Sequence, residues 1–177
     1  MRKGPKADLS AADLTGAELV STNLKDALLL GTNLREAVAM AANLEDANLT
    51  LAKLIDSNLE GAILSGADLN SADLRHAILT NEVWLVDTKL RGANLDNANL
   101  TGAYMNGADL NGASLRGADL RNVLLLGADM NKADLNGAIG ITEEELERQA
   151  YSLEGATMPN GQKYEDWLKS TASGEGR

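Results

Sequence analysis

The stretch ANLDNANLTGAYMNGADLNG, residues 93–112, is four five-residue units, with Leu95, Leu100, Met105 and Leu110 at their centres. An alanine stands two places before each centre, and Asn94, Asn99, Tyr104 or Asp109 lies between. Neither regular period produces this pattern. A helix face repeats apolar residues at three and four, and a half-buried strand at two. A period of five, apolar at its first and third positions, fits a very short strand followed by a turn. Asp or Asn in the second position and Gly in the fifth suit such turns, through side-chain-to-backbone bonds and positive φ.

Outward from this stretch the pattern runs from Ala7 to Gly137 in 26 units. The centre is Leu in 23 of them, Met at 105 and 130, and Ala at 39; the small slot holds Ala in 20 and Ser, Thr or Val otherwise. Four units per coil would close a square solenoid, with centre and small residue inward and the other three positions in solvent. Stacked coils would sit ~4.8 Å apart, as neighbouring strands do. Ala39 then makes a thin spot between Leu19 and Leu59, where leucine should stabilise.

The A(D/N)LXX signature over residues 7–137 resembles the pentapeptide repeat family. That resemblance implies an all-β solenoid, a right-handed quadrilateral β-helix of about six and a half coils. The C-terminal end, a helix followed by EGATMPNG (154–161), is most similar to cyanobacterial members.

One interval breaks the count. Leu79 and Leu90 are eleven apart where ten is expected. Counting back from Leu90 makes VWLVD (83–87) a unit, matching VLLLG (123–127), with Val in the small slot of both. Asn81 or Glu82 is then an added corner residue, a bulge and not a domain boundary. With that register Ile63, Trp84, Tyr104 and Leu124 stack on one outer face, with Val86 and Leu126 beside them. Three readings are open for this stripe: a surface for another protein or for self-association, a surface covered by the C-terminal tail, or tolerated exposure.

A solenoid needs capped ends. Thr142 and Glu145 form a capping-box pattern opening a short C-terminal helix of about nine residues, and Pro159-Asn160-Gly161 reads as a turn. The expected organisation is a lead-in over 1–6, the β-helix over 7–138, a helix and capping tail over 139–169, and a flexible end over 170–177. No helix precedes Ala7, which implies a removed segment or a partner at that end.

The chain has no cysteine, one histidine and a formal charge of −10. Cysteine ligands are excluded, and His76 alone supports no transition-metal site. No phosphate-binding, dinucleotide or nucleophile motif is present, so a non-enzyme without cofactor or metal is expected. Acidity argues against direct nucleic-acid binding, and no apolar run reaches the ~18 residues a membrane span needs. Without a signal-peptide core a cytoplasmic location is expected, although a processed periplasmic or lumenal form would read the same.

Two functional readings follow. One is a rigid scaffold or protein-interaction module with an unassigned partner. The other comes from resemblance to the family's quinolone-resistance branch, whose members are thought to mimic DNA and bind gyrase. The repeats hold 18 acidic and 9 basic residues, a net of 9 − 18 = −9. Asp8, Asp68, Asp109 and Asp129 fall on one face and Asp13, Asp73 and Asp134 on the next. Lys53, Lys89, Arg35, Arg75, Arg91 and Arg116 interrupt those faces. That branch favours Phe centres and often Cys in the small slot, and this chain has neither.

Overall fold

The computed structural model describes residues 6–173. Expectations for residues 1–5 and 174–177 lie outside the described residues. Parallel β-bridges link each second position to the residue 20 further on, as in Asp8 to Leu28, Asp13 to Asn33, Glu18 to Val38 and Asn23 to Asn43. Four bridge columns therefore run up the stack, one per side. They are named here the Asp8, Asp13, Ile78 and Trp84 faces.

The unit around Asn48 shows why the pentapeptide needs its residues. Ala47 N–H donates to Leu44 O (3.0 Å), closing a four-residue turn whose third residue, Asp46, has φ 57°. Positive φ at that place, with this bond, is the type II arrangement. Asn48 N–H donates to Ala27 O below (2.9 Å), while Leu49 and Leu51 N–H donate to Asp68 O (2.7 Å) and Asn70 O (3.1 Å) above. The remaining donor, Thr50 N–H, reaches the Asn48 side chain at 3.1 Å. All five backbone donors are satisfied, and the Asx residue in the second position supplies the last acceptor.

The centres fill the interior. Leu29, Leu49, Leu59, Leu64 and Leu69 are fully buried, with Ala27, Ala47, Ala62 and Ala67 beside them. Thr32, Ser57 and Thr88 take small slots, and their hydroxyls donate to Leu9, Leu54 and Leu64 carbonyls. In the first coil Leu9, Leu14, Leu19 and Leu24 are only partly buried.

From Ile63–Trp84 to Ile78–Asn99 the bridge spacing is 21, and it returns to 20 at Trp84–Tyr104. The extra residue lies at a corner where Asn81 (φ 54°) and Glu82 (φ 60°) are both left-handed. Val83 and Leu85 are buried, and Trp84 between them points outward.

Beyond Ile139 the chain forms α1 (Glu143–Gln149), with Thr142 as N-cap and both capping-box bonds to Glu145 made. The repeat does not end at Ala138, as its sequence suggests. After α1, Ser152 bridges Asp129 and Thr157 bridges Asp134, so Leu153 and Met158 extend the ladder as buried centres. Lys163 then pairs antiparallel with Thr157. A second helix, α2 (Tyr164–Ser173), buries Trp167. Residues 170–173 are thus helical, where a flexible end over 170–177 is the sequence expectation.

Candidate protein-interaction site

The register places Ile63, Trp84, Tyr104 and Leu124 in consecutive bridges on one face. Trp84 is 47% exposed, Leu124 44% and Leu126 69%, while Val86 and Tyr104 are half-buried. The Trp84 and Tyr104 rings lie 5.1 Å apart at 53°. The C-terminal tail does not cover them. Trp167 joins the core, Tyr164 N–H donates to Ala156 O, and Trp167 shares a pocket with Glu143 and Glu144 of α1. α2 therefore sits over the end of the stack, leaving the lateral stripe open.

The stripe comes at a structural loss. Where Asp or Asn is missing from the second position, the fourth-position N–H loses its usual acceptor. Leu126 N–H finds Asn106 Oδ1 from the coil below at 3.1 Å, whereas Ser65, Val86 and Asn106 N–H have no protein acceptor among the described residues. Within the repeats Asp or Asn is also missing at Glu18, Leu28, Val38, Lys53, Ile78, Lys89 and Ser114, never more than two in succession. Only the Trp84 face loses four in succession. Tyr151, 80% exposed, is a further aromatic that the sequence pattern does not reveal. Its N–H donates to Ala128 O, which sets it at the corner beyond Leu126.

The acidic faces are built differently. Asp68 lies 3.9 Å from Lys89, Asp73 2.8 Å from Arg75 and Asp134 3.1 Å from Arg116. Arg91 pairs with Asp109. Asp8 and Asp13 accept from Ser10 and Thr15 backbone N–H, and Asp129 from Asn131. The Arg75 guanidinium holds the Asp73 carboxyl below its ordinary range, and Arg121 does the same to Asp119. These aspartates act first on the turns and on neighbouring cations. Among the described residues no three His, Asp or Glu side chains converge as a metal site requires, and no helix is long and apolar enough to cross a membrane.

The sequence model of Pentapeptide repeats matches residues 7–41, 42–81, 85–122 and 104–139, in eight copies. Among solved structures the chain is similar to HetL of the cyanobacterium Nostoc sp. strain PCC 7120, a pentapeptide repeat protein involved in regulating heterocyst differentiation. Identity is 30%, covering 89% of this chain and 87% of HetL, with TM-score 0.49. It is also similar to QnrB1, a plasmid-mediated fluoroquinolone resistance protein, at 22% identity over 96% of this chain and 84% of QnrB1 (TM-score 0.42). A pentapeptide repeat protein of the Arabidopsis thaliana thylakoid lumen matches at 27% identity, covering 93% and 89% of the two chains (TM-score 0.31). Curated proteins give no match.

Proposed function

Because this chain belongs to the pentapeptide repeat family, we propose that it is a non-enzymatic interaction module whose rigid solenoid presents the Trp84 face to a protein partner. On the family's geometry the solenoid is a right-handed quadrilateral β-helix of about six and a half coils before its cap. One observation carries the reading. Four successive second positions on the Trp84 face exchange turn-stabilising Asx for Ile, Trp, Tyr and Leu, at the expense of backbone hydrogen bonds. A chain selected for stability alone would keep the acceptors, since departures from local rules concentrate at functional sites. Aromatic anchors on a flat rigid surface are the composition of interface hot spots.

The test is affinity capture from cells that make the protein, comparing wild type with the double variant Trp84→Ser/Tyr104→Ser and with Lys53→Ser on the opposite face. A species held by wild type and Lys53→Ser and lost by the double variant supports the module. A species held equally by all three contradicts it.

The alternative is a DNA mimic that occupies gyrase. The net charge of the repeats favours it, and a mimic needs an uninterrupted phosphate-like surface. Here Lys89, Arg75, Arg91 and Arg116 neutralise four of the seven aspartates on the two acidic faces. A gyrase supercoiling assay separates the readings, and the module predicts no inhibition.

A further inference from the structure

Resting on the interaction role proposed for the Trp84 face, we infer that its occupant is a short apolar segment of another protein flanked by lysine or arginine, not a second copy of this chain. Size and charge both lead there. Ile63 to Leu124 spans three coil steps, ~14 Å at the strand spacing, so the apolar strip falls well short of the ~800 Å² per partner that a stable dimer buries. A strip of that length accommodates an extended peptide of a few residues.

The strip's borders are acidic on both sides. At the corner preceding Trp84, exposed Glu82 follows Asn81, whose side-chain amide donates to Glu60 of the coil below. At the corner following it stand Asp46 and Asp87, both exposed. A Cβ added at Gly107 would strike the Asp87 carboxylate, which places that carboxylate beside the Tyr104 unit. Among the described residues no ion pair neutralises Glu82 or Asp87. The nearby cations are tethered elsewhere, Lys25 to Glu45 at 2.5 Å, Lys89 to Asp68 at 3.9 Å and Arg121 to Asp119 at 2.5 Å. Two copies meeting through this face would set acidic borders against acidic borders, and like charges across an interface oppose association. A segment with apolar residues at its centre and cations at its ends meets complementary potential everywhere. Its carbonyls also meet the unpartnered Ser65 and Val86 N–H groups.

Fluorescein-labelled ten-residue peptides test this by anisotropy at low salt. All carry two central leucines, with two lysines, two serines or two glutamates at each end. The lysine peptide is expected to bind at least threefold more tightly than the serine peptide, because each exposed cation–carboxylate pair adds only modestly, and the glutamate peptide not at all. Glu82→Gln/Asp87→Asn should bring the lysine peptide down to the serine value. Trp84→Ser/Tyr104→Ser should abolish binding of both. Equal binding of lysine and serine peptides overturns the cationic assignment and leaves the stripe standing as a docking surface. Lysine-peptide binding that survives Trp84→Ser/Tyr104→Ser overturns the site, because attraction to the chain's net charge then explains it. No binding by any peptide, with a dimer by sedimentation that dissociates in the double variant, assigns the face to a second copy. No binding and a monomer throughout also overturns the inference.

Discussion

Trp84 and Tyr104 pack as a tilted ring pair across one coil step, 5.1 Å between centroids at 53°, on the outside of a solenoid whose interior is mainly leucine, methionine and alanine. Their contact with each other is therefore the chief stabilisation they supply, and such pairs contribute ~0.5–1.5 kcal/mol. Trp84→Ser/Tyr104→Ser should lower the melting temperature by no more than a few degrees. Leu85→Ala, one residue along and fully buried, should lose about 2–5 kcal/mol. Thermal melts of the two variants check this. A loss for the double variant as large as for Leu85→Ala would make the stripe a structural element.

Ala39 occupies a centre slot and is buried, with its N–H still 2.7 Å from Asn58 O, the same as Leu34 to Lys53. The rung to the next coil is therefore kept at this position. A small apolar cavity of about 10 Å³ remains, lined by Leu19, Leu24, Leu34 and Leu59 among others. Space for about one water suits Ala39→Val, which should gain roughly 0.5–1 kcal/mol in chemical denaturation. Ala39→Leu, attractive from the sequence, overfills the space and should gain less or destabilise.

Gly140 turns the chain from the last bridge on the Ile78 face toward α1 with φ +82°, and a Cβ there would lie 2.7 Å from Arg121 N and 2.8 Å from its Cα. Gly102 has φ +71° and open space around it. Gly102→Ala should therefore lose only the left-handed strain, about 1–2 kcal/mol. Gly140→Ala adds a backbone clash and should lose clearly more, weakening the cap. Equal losses in urea unfolding would show that the turn into α1 shifts freely.

Asp73 and Asp119 have carboxyl pKa values held below the ordinary 3.8, first by hydrogen bonds from Arg75 and Arg121. A depressed folded pKa gives stability that is present above the unfolded value and lost as pH falls through the folded one. The acid limb below about pH 4 should consequently be shallower in Arg75→Ala/Arg121→Ala than in wild type. The loss at neutral pH stays small, because the arginines are largely in solvent. Melts from pH 7 to pH 2 measure both.

Leu95, Leu100 and Met105 show how the fold could be read from the chain: an inward residue every fifth place fits neither a helix nor an alternating strand, and the resemblance to the repeat family supplies the four-sided coil. The same count located the Asn81–Glu82 corner and put Trp84 outside. Leu153 and Met158 were hidden because α1 displaces them from the period, Ser152 standing 23 positions beyond its partner Asp129, and because an outward Tyr151 stands two places before Leu153 where the pattern has a small inward residue. Lys163 and α2 were hidden for a different reason. The segment after Gly161 has a single buried anchor, Trp167, and no period to announce a helix. The acidic borders of the stripe were legible as letters only. Placing Asp87 beside Tyr104 needs the three-dimensional contact over Gly107.

Photo-crosslinking in cells that make the protein tests the central claim most directly, with p-benzoylphenylalanine replacing Trp84, Tyr104 or, on the opposite face, Lys53. The account predicts one adduct of the same added mass from the Trp84 and Tyr104 positions and none from Lys53. Adducts from all three positions alike, or from Lys53 alone, would contradict it.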